Sequence, residues 1–325
     1  MSEAAAGSLD DTLVAQVLAG DRRALAKSIT LLESTRAADR ARGDALLGAI
    51  LPHSGYAIRV GISGVPGVGK STLIETLGLQ LIAQGHKVAV LAVDPSSTLS
   101  GGSILGDKTR MERLSAEAAA FIRPSPSSGT LGGVAEKTRE AMLVCEAAGF
   151  DVVLVETVGV GQSESAVSGM TDLFLLLQLP NAGDDLQAIK RGVMELADLV
   201  VVNKSDLDPA AAARAIAQID SGLRKPLPVF AASALHGQGF ERIWVEVQRL
   251  VTERRESGEF EARRRTQALA WMWDIVHARL MAGFHEHPGV QAALPAMLRE
   301  VGEGRLPAGA AARRLLQEYD RRGER

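Results

Sequence analysis

The chain has 325 residues, 46% of them hydrophobic and 23% charged, which leaves room for one large core plus an accessory module and excludes disorder as its main state. Its 36 Lys and Arg against 39 Asp and Glu give a net charge of −3, so no global basic field favours nucleic acid or an anionic membrane. A single cysteine, Cys145, excludes an internal disulfide framework and a multi-thiolate metal site; it points to a reducing compartment and reads as a small buried hydrophobe.

The amino-terminal stretch MSEAAAGSLDDTLVAQ is acidic and has neither the apolar core of a signal peptide nor the arginines of a transit sequence, so a cytoplasmic location is expected. Apolar runs such as Leu173 to Leu177 fall far short of the roughly 18 to 20 residues that span a bilayer, and no membrane segment is expected. Over residues 9–53, Leu13, Val17, Leu25, Ile29, Leu32, Leu46, Leu47 and Ile50 recur at helical spacing with breaks near Gly20 and Thr35, which predicts a helical amino-terminal region, 1–55. The pattern then changes. Short apolar runs (Ile58 to Ile62, Val88 to Val93, Ala119 to Ile122, Val152 to Val155, Leu173 to Leu177, Leu199 to Val202 and Pro228 to Ala231) alternate with amphipathic stretches. That alternation predicts an α/β domain over 56–255, a mostly parallel sheet with helices on both faces. Phe240 to about Arg255 closes it as a helix. Residues 256–325 read as a helical arm: Leu269, Trp273, Val276, Leu280 and Phe284 line one face of a long helix ending near His287-Pro288, and two shorter helices follow around Val290 to Val301 and Gly309 to Tyr319.

The run Gly64-Val65-Pro66-Gly67-Val68-Gly69-Lys70-Ser71 fits GxxxxGK followed by Ser or Thr, between a predicted strand and a helix over Thr72 to Ala83. Glycines 64, 67 and 69 let backbone N–H groups turn inward as an anion nest, Lys70 reaches the β- and γ-phosphate oxygens, and the Ser71 hydroxyl can ligate magnesium. Magnesium takes oxygen ligands, and open α/β sheets bind ligands at the carboxyl ends of their strands. Asp94 and Glu156 close two predicted strands and Asp107 follows in a Gly-rich loop, so all three join Ser71 as candidate metal ligands. Asp107 reads equally well as the N-cap of a helix over Thr109 to Leu114.

The tetrapeptide Asn203-Lys204-Ser205-Asp206 follows a predicted strand and fits NKxD. A carboxylate at Asp206 accepts both the N1–H and the exocyclic amino proton of guanine, a donor pair that adenine lacks. Asn203 would tie neighbouring loops together, the Lys204 stem would cover one base face, and backbone N–H groups of Ser233-Ala234-Leu235 would meet the guanine O6. Together these favour GTP over ATP.

With VDPSS at 93–97, ETVGVGQSE at 156–164 and GDDLQAIKRG at 183–192 added, the chain resembles the MeaB/ArgK family of P-loop GTPases. The resemblance implies a Mg2+-dependent GTPase fold with a helical cap and a carboxy-terminal dimerisation arm. It also implies a chaperone role toward adenosylcobalamin-dependent methylmalonyl-CoA mutase, gating cofactor loading and protecting that enzyme from inactivation. The candidate catalytic set is Lys70, Asp94, Asp107, Glu156 and Gln162; the nucleotide-binding set runs from Gly64 to Thr72 with Asn203, Lys204, Asp206, Ser233, Ala234 and Leu235. One departure leaves Gln162 open: small signalling GTPases place the water-orienting Gln directly after Gly, whereas here Val160 and Gly161 intervene after Gly159. Loops at 95–108 and 157–170 are candidate switches, and the family resemblance adds a third at Leu179 to Lys190, where Asp184, Asp185 and Lys190 could exchange ion-pair partners. A P-loop small-molecule kinase, a transport-linked ATPase and a nucleotide-sensing scaffold remain the competing readings.

A metal-cargo site is disfavoured, because the six histidines are scattered and His285 with His287 reads as a helix end beside Pro288. Residues 252–325 hold 13 Arg against 11 acidic residues, so Arg263 to Arg265 read as a solvated helix face rather than a nucleic-acid contact. Trp271, Met272 and Trp273 flank the apolar stripe of the arm and either pack within one chain or pair two copies; the family resemblance favours a homodimer.

Overall fold

Seven short apolar runs, most of them without a polar face, have to be covered from two sides, and a parallel sheet meets that need. The computed structural model describes residues 11–93, 111–124, 131–157, 163–180, 191–222 and 226–321. In chain order the sheet is built from β1 (Ile58–Gly64), β2 (Val88–Val93), β3 (Ala120–Arg123), β4 (Val152–Thr157), β5 (Leu173–Gln178), β6 (Leu199–Val202) and β7 (Val229–Ala231). The spatial order is β3-β2-β4-β1-β5-β6-β7, and every pairing is parallel. All seven strands coincide with the runs expected from sequence, with β1 extending to Gly64. The central strand β1 is flanked by β4 and β5, so the chain crosses it between β4 and β5, and ligands of open α/β sheets bind at such a reversal, beyond the carboxyl ends of the strands.

The described helices are α1 (Asp11–Leu18), α2 (Arg22–Glu33), α3 (Ala37–Ile50), α4 (Lys70–Ala83), α5 (Glu112–Ala116), α6 (Leu131–Ala147), α7 (Ser163–Ser168), α8 (Arg191–Leu196), α9 (Pro209–Gly222), α10 (Phe240–Glu256), α11 (Glu259–Glu286), α12 (Pro288–Gly302) and α13 (Ala308–Asp320). Side chains alternate across the strands. Val60 and Ile62 of β1, with Leu173, Leu175 and Leu177 of β5, face Leu73, Ile74, Leu77 and Leu81 of α4 and Phe240, Trp244 and Val247 of α10. On the other face Val153 and Val155 of β4 pack with α6 and α7, and Leu176, Val200 and Val202 pack with α9. Each such fully buried side chain contributes about 1.5–3 kcal/mol.

The amino-terminal helices share this core. Leu13, Val17, Leu25, Ile29, Leu46 and Ile50 join Val144, Cys145 and Phe150 in one cluster on the α6 side. Asp21 caps α2, its carboxylate accepting from the Ala24 N–H at 2.7 Å. Cys145 is fully buried, and burial pushes its thiol well above the ordinary range, which keeps it protonated and inert.

The chain divides into two compact units, Met1–Gln267 and Ala268–Arg325. In the second, His287 sits at the N-cap position of α12 and its ring meets that of Tyr319 edge-on at 5.4 Å, while Phe284 lies 5.5 Å from the same ring. His287 is thus a helix junction, and among the described residues no group of three or more His, Cys, Asp or Glu could hold a metal ion. No described helix is long and apolar enough to cross a membrane.

Candidate nucleotide-binding site

The loop leaving β1 turns into α4 through Gly69, whose φ of +98° is open to glycine and strained for other residues. A second demand falls on the same position: a Cβ there would stand 2.6 Å from Asn203 Nδ2, so the loop and the end of β6 approach too closely for any side chain. Asn203 uses that proximity. Its Nδ2 donates to the Val68 carbonyl at 2.8 Å, and its Oδ1 accepts from the Ala234 N–H at 3.0 Å. The backbone N–H of Asn203 in turn donates to the Gln178 carbonyl at 2.9 Å. One buried amide therefore straps together the phosphate loop at Gly64–Thr72, the Asn203-to-Asp206 loop and the Ser233-to-Leu235 loop.

Lys70 is buried to 8% exposure, and its ammonium donates to the carbonyls of Gly64 at 2.7 Å and Val65 at 3.3 Å. Its cost of burial is offset by these charge-assisted bonds, which hold the amine over the mouth of the loop. Ser71 Oγ donates to Glu156 Oε1 at 3.1 Å, bringing a hydroxyl and a carboxylate together at the ends of α4 and β4. The pair is a set of hard oxygen donors of the kind magnesium takes, and its chemistry fits that ion. Asp94, Asp107 and Gln162, the other members of the expected catalytic and metal set, lie outside the described residues, as do Asp184, Asp185 and Lys190. Helix α5 begins at Glu112, with Met111 at its N-cap position.

In the Asn203-to-Asp206 loop, Lys204 adopts φ +58°, the one described non-glycine residue with positive φ, and this left-handed turn reverses the chain between Asn203 and Asp206. Such a conformation costs a Lys on the order of 1–2 kcal/mol and persists where the surroundings over-determine it. Here the Ser205 N–H and Oγ both bond the Ala232 carbonyl, at 3.1 and 3.0 Å. The Asp206 carboxyl is held below the usual carboxylate range, first by a hydrogen bond from the Ser233 hydroxyl, against a smaller desolvation effect, and further by its own backbone N–H, His236 and Lys204. It is an anion at neutral pH.

Several contributors were not apparent from the motifs. His236 Nε2 lies 3.7 Å from Asp206 Oδ2. Thr76 Oγ1 donates to the Ala234 carbonyl at 2.9 Å and Gln80 Nε2 to the Gly237 carbonyl at 3.4 Å, so α4 carries the 233–238 loop on its flank. Their spacing of four places both on one helix face, which was readable; the loop they serve, some 157 positions away, was not. Thr157 Oγ1 donates to Ser63 Oγ at 2.9 Å, locking the ends of β4 and β1 just below Glu156.

Residues 25–288 match the model of the MeaB family, described as methylmalonyl-CoA mutase-associated GTPase. A Caulobacter vibrioides relative named as a GTPase is 53% identical, over 95% of this chain and 97% of its own. The Mus musculus methylmalonic aciduria type A homolog, a mitochondrial protein, is 45% identical over 96% of this chain and 80% of its own. Among solved structures, one described as a LAO/AO transport system kinase superposes with a TM-score of 0.78 at 35% identity, covering 96% of this chain and 99% of that one.

Proposed function

The chain belongs to the MeaB family of methylmalonyl-CoA mutase-associated GTPases, and from that premise we propose that it is a GTP-hydrolysing chaperone of an adenosylcobalamin-dependent methylmalonyl-CoA mutase. It gates loading of the mutase cofactor and protects the mutase from inactivation. The observation that carries this reading is the Asn203 strap, which makes the phosphate loop and the Asp206 loop one rigid unit able to hold the two ends of a guanine nucleotide at once.

In this reading Asp206 takes the guanine N1–H and amino protons, and the N–H groups of the Ser233-to-Leu235 loop meet O6. Lys70 exchanges its loop carbonyls for β- and γ-phosphate oxygens, stabilising charge as water displaces GDP from the γ-phosphorus. Ser71 and Glu156 would hold magnesium, directly or through its waters, and the ion would neutralise phosphate charge. Asp94 and Asp107 are the further carboxylates proposed for that ion, and Gln162 is the proposed water-orienting residue. The protein acts in the cytoplasm, where a buried thiol such as Cys145 stays reduced.

The homodimer is part of the proposal. In α11 the side chains of Leu269, Trp273, Val276 and Leu280 recur every three or four residues, and Leu269, Trp273 and Leu280 are 55–60% exposed, an apolar stripe suited to a second copy of the same helix.

The deciding assay is steady-state release of phosphate from GTP and from ATP, with and without an adenosylcobalamin-dependent methylmalonyl-CoA mutase. Guanine-selective turnover that rises on adding the mutase is expected, and Lys70→Ala should abolish it. A rate unchanged by the mutase, with no complex between the two proteins, would remove the chaperone reading. Transfer of the γ-phosphate to an acceptor would favour the kinase function named for the solved relative.

A further inference from the structure

The five residues from Ser168 to Asp172, which lead from α7 into β5, are held by side chains from three helices and by one backbone N–H of β1. Arg139 of α6 donates from Nη2 to the Gly169 carbonyl at 3.1 Å. Arg263 of α11 donates from Nη2 to the Ser168 carbonyl and from Nε to the Thr171 carbonyl, both at 3.1 Å. One turn further along α11, Gln267 Nε2 donates to the Thr171 carbonyl at 2.9 Å. Arg254 of α10 reaches the Asp172 carbonyl at 2.6 Å. The Asp172 carboxylate, 1% exposed, accepts two bonds of 2.7 Å from Arg264 and one of 2.8 Å from the Arg59 N–H of β1. Arg264 also lies 4.3 Å over the Phe260 ring. Arg263 and Arg264 are therefore not the solvated face their charges suggested; only Arg265 of the three is exposed.

Helix α7 has six residues, too few to persist without tertiary support. Its flank lies on β1 where Gly61 gives way: a Cβ at Gly61 would stand 2.7 Å from Val167 Cγ1 and 2.9 Å from Thr171 Oγ1. Cationic and amide donors at its carboxyl end satisfy its last carbonyls and complement its dipole. Its first residues, Ser163 and Glu164, are buried at 3% and 1% exposure, and Ser163 lies six positions after Thr157, the last residue of β4. Val167 of α7 packs in one cluster with Val153 and Val155 of β4, so the position of α7, which β1, α6 and the start of α11 set, bears on the strand that carries Glu156.

We propose that Arg263 and Gln267 are positioning residues for GTP hydrolysis. Neither touches the nucleotide loops; they act through the carbonyls of Ser168 and Thr171 on α7 and thus on the carboxyl end of β4. The inference depends on the GTPase activity alone and stands whether or not the partner is a mutase.

The test measures kcat, KM for GTP and GDP affinity in the full-length chain for Arg263→Ala, Arg263→Lys, Gln267→Ala and the Arg263→Ala/Gln267→Ala pair, with Arg249→Ala as a control. Arg249 is an exposed residue of α10, paired among the described residues with Glu246 and Glu253 on the same helix. Expected is a fall in kcat of roughly tenfold for Arg263→Ala, as for loss of a charge-assisted contact that orients a reacting segment, with KM and GDP affinity within about twofold. Arg263→Lys should recover part of the rate, since an ammonium can reach one of the two carbonyls but not both. A double variant that binds GDP normally and keeps kcat within twofold overturns the proposal. So does a parallel loss of kcat and GDP affinity, the mark of a merely structural role. Should Arg263→Ala fail to fold, Gln267→Ala decides: it removes one neutral donor, and a wild-type kcat there overturns the proposal equally.

Discussion

Asn203→Ala tests the strap in the absence of any nucleotide. The side chain is 1% exposed, and truncation leaves two buried backbone groups without partners, the Val68 carbonyl and the Ala234 N–H. A buried orphan costs about 1–3 kcal/mol, and with two of them plus the small void the expected loss is about 3 kcal/mol. In a unit the size of Met1–Gln267 that corresponds to roughly 6–12 °C in Tm. Urea unfolding followed by Trp244 fluorescence is the assay. Trp244 is buried within that unit, and replacing Trp271 and Trp273 by Phe removes the signal of the second unit. The midpoint should fall with no change in slope, since the surface exposed on unfolding is unaltered. Asn203→Asp makes the reasoning sharper: it keeps the acceptor for Ala234, loses the donor to Val68 and leaves a buried anion, so at pH 7 it should destabilise at least as much as Ala. A shift below about 1 kcal/mol for Asn203→Ala would mean that the three loops are held by something else, and the strap would have to be abandoned as the reason base and phosphate ends form one site.

Asp206→Asn should exchange guanine for xanthine preference, because the C2 carbonyl of xanthine replaces the amino donor that a carboxylate receives; competition binding of GTP and XTP should show their affinity ratio moving by about 10²-fold, two hydrogen-bond contacts at roughly tenfold each. The same carboxyl is held below its usual range, chiefly by the Ser233 hydroxyl, so guanine recognition by wild type should be flat from pH 8 down to pH 5; a titration of GTP affinity within that window would contradict the assignment. In α6, Glu140 is pushed from 4.5 up to about 7, first by burial, with Lys137 opposing and Glu136 and Asp44 reinforcing the shift. A raised carboxyl means the folded chain keeps a proton that the unfolded chain has released, so its contribution to stability is present below pH 4.5 and is lost as pH rises through 7. Glu140→Gln should therefore gain up to about 3 kcal/mol over wild type at pH 8 and little at pH 5, measured by urea unfolding at both; an equal difference at the two pH values would show that burial is not what shifts the group.

The sheet was readable because burial on both faces writes itself into composition: Leu173 to Leu177 and Val152 to Val155 have no polar face to hide, and most strands of the structure fall on such runs, the part-exposed edge strand β7 being the exception in burial. The loops proposed for phosphate and base stood out for a different reason, since GxxxxGKS and NKxD are patterns of residue type at fixed spacing that packing of the chain alone does not demand. Contacts between elements were not readable in the same way. Residues 9–53 carry helical periodicity, but nothing in that periodicity says that Leu25 and Ile29 share a cluster with Cys145 and Phe150. Arg263 shows the limit most clearly. An arginine in a helix with balancing acidic neighbours reads as solvated, and the rule holds for Arg265. What draws Arg263 and Arg264 inward is a row of backbone carbonyls and one aspartate some 92 positions earlier, at the end of a helix too short to satisfy its own last turn. A carbonyl acceptor has no residue type, so a guanidinium that serves one leaves no trace in spacing or composition. Its function shows only once the fold has brought the unsatisfied helix end beneath it, and the arginines that matter for α7 are then told apart from their exposed neighbour by the groups they face.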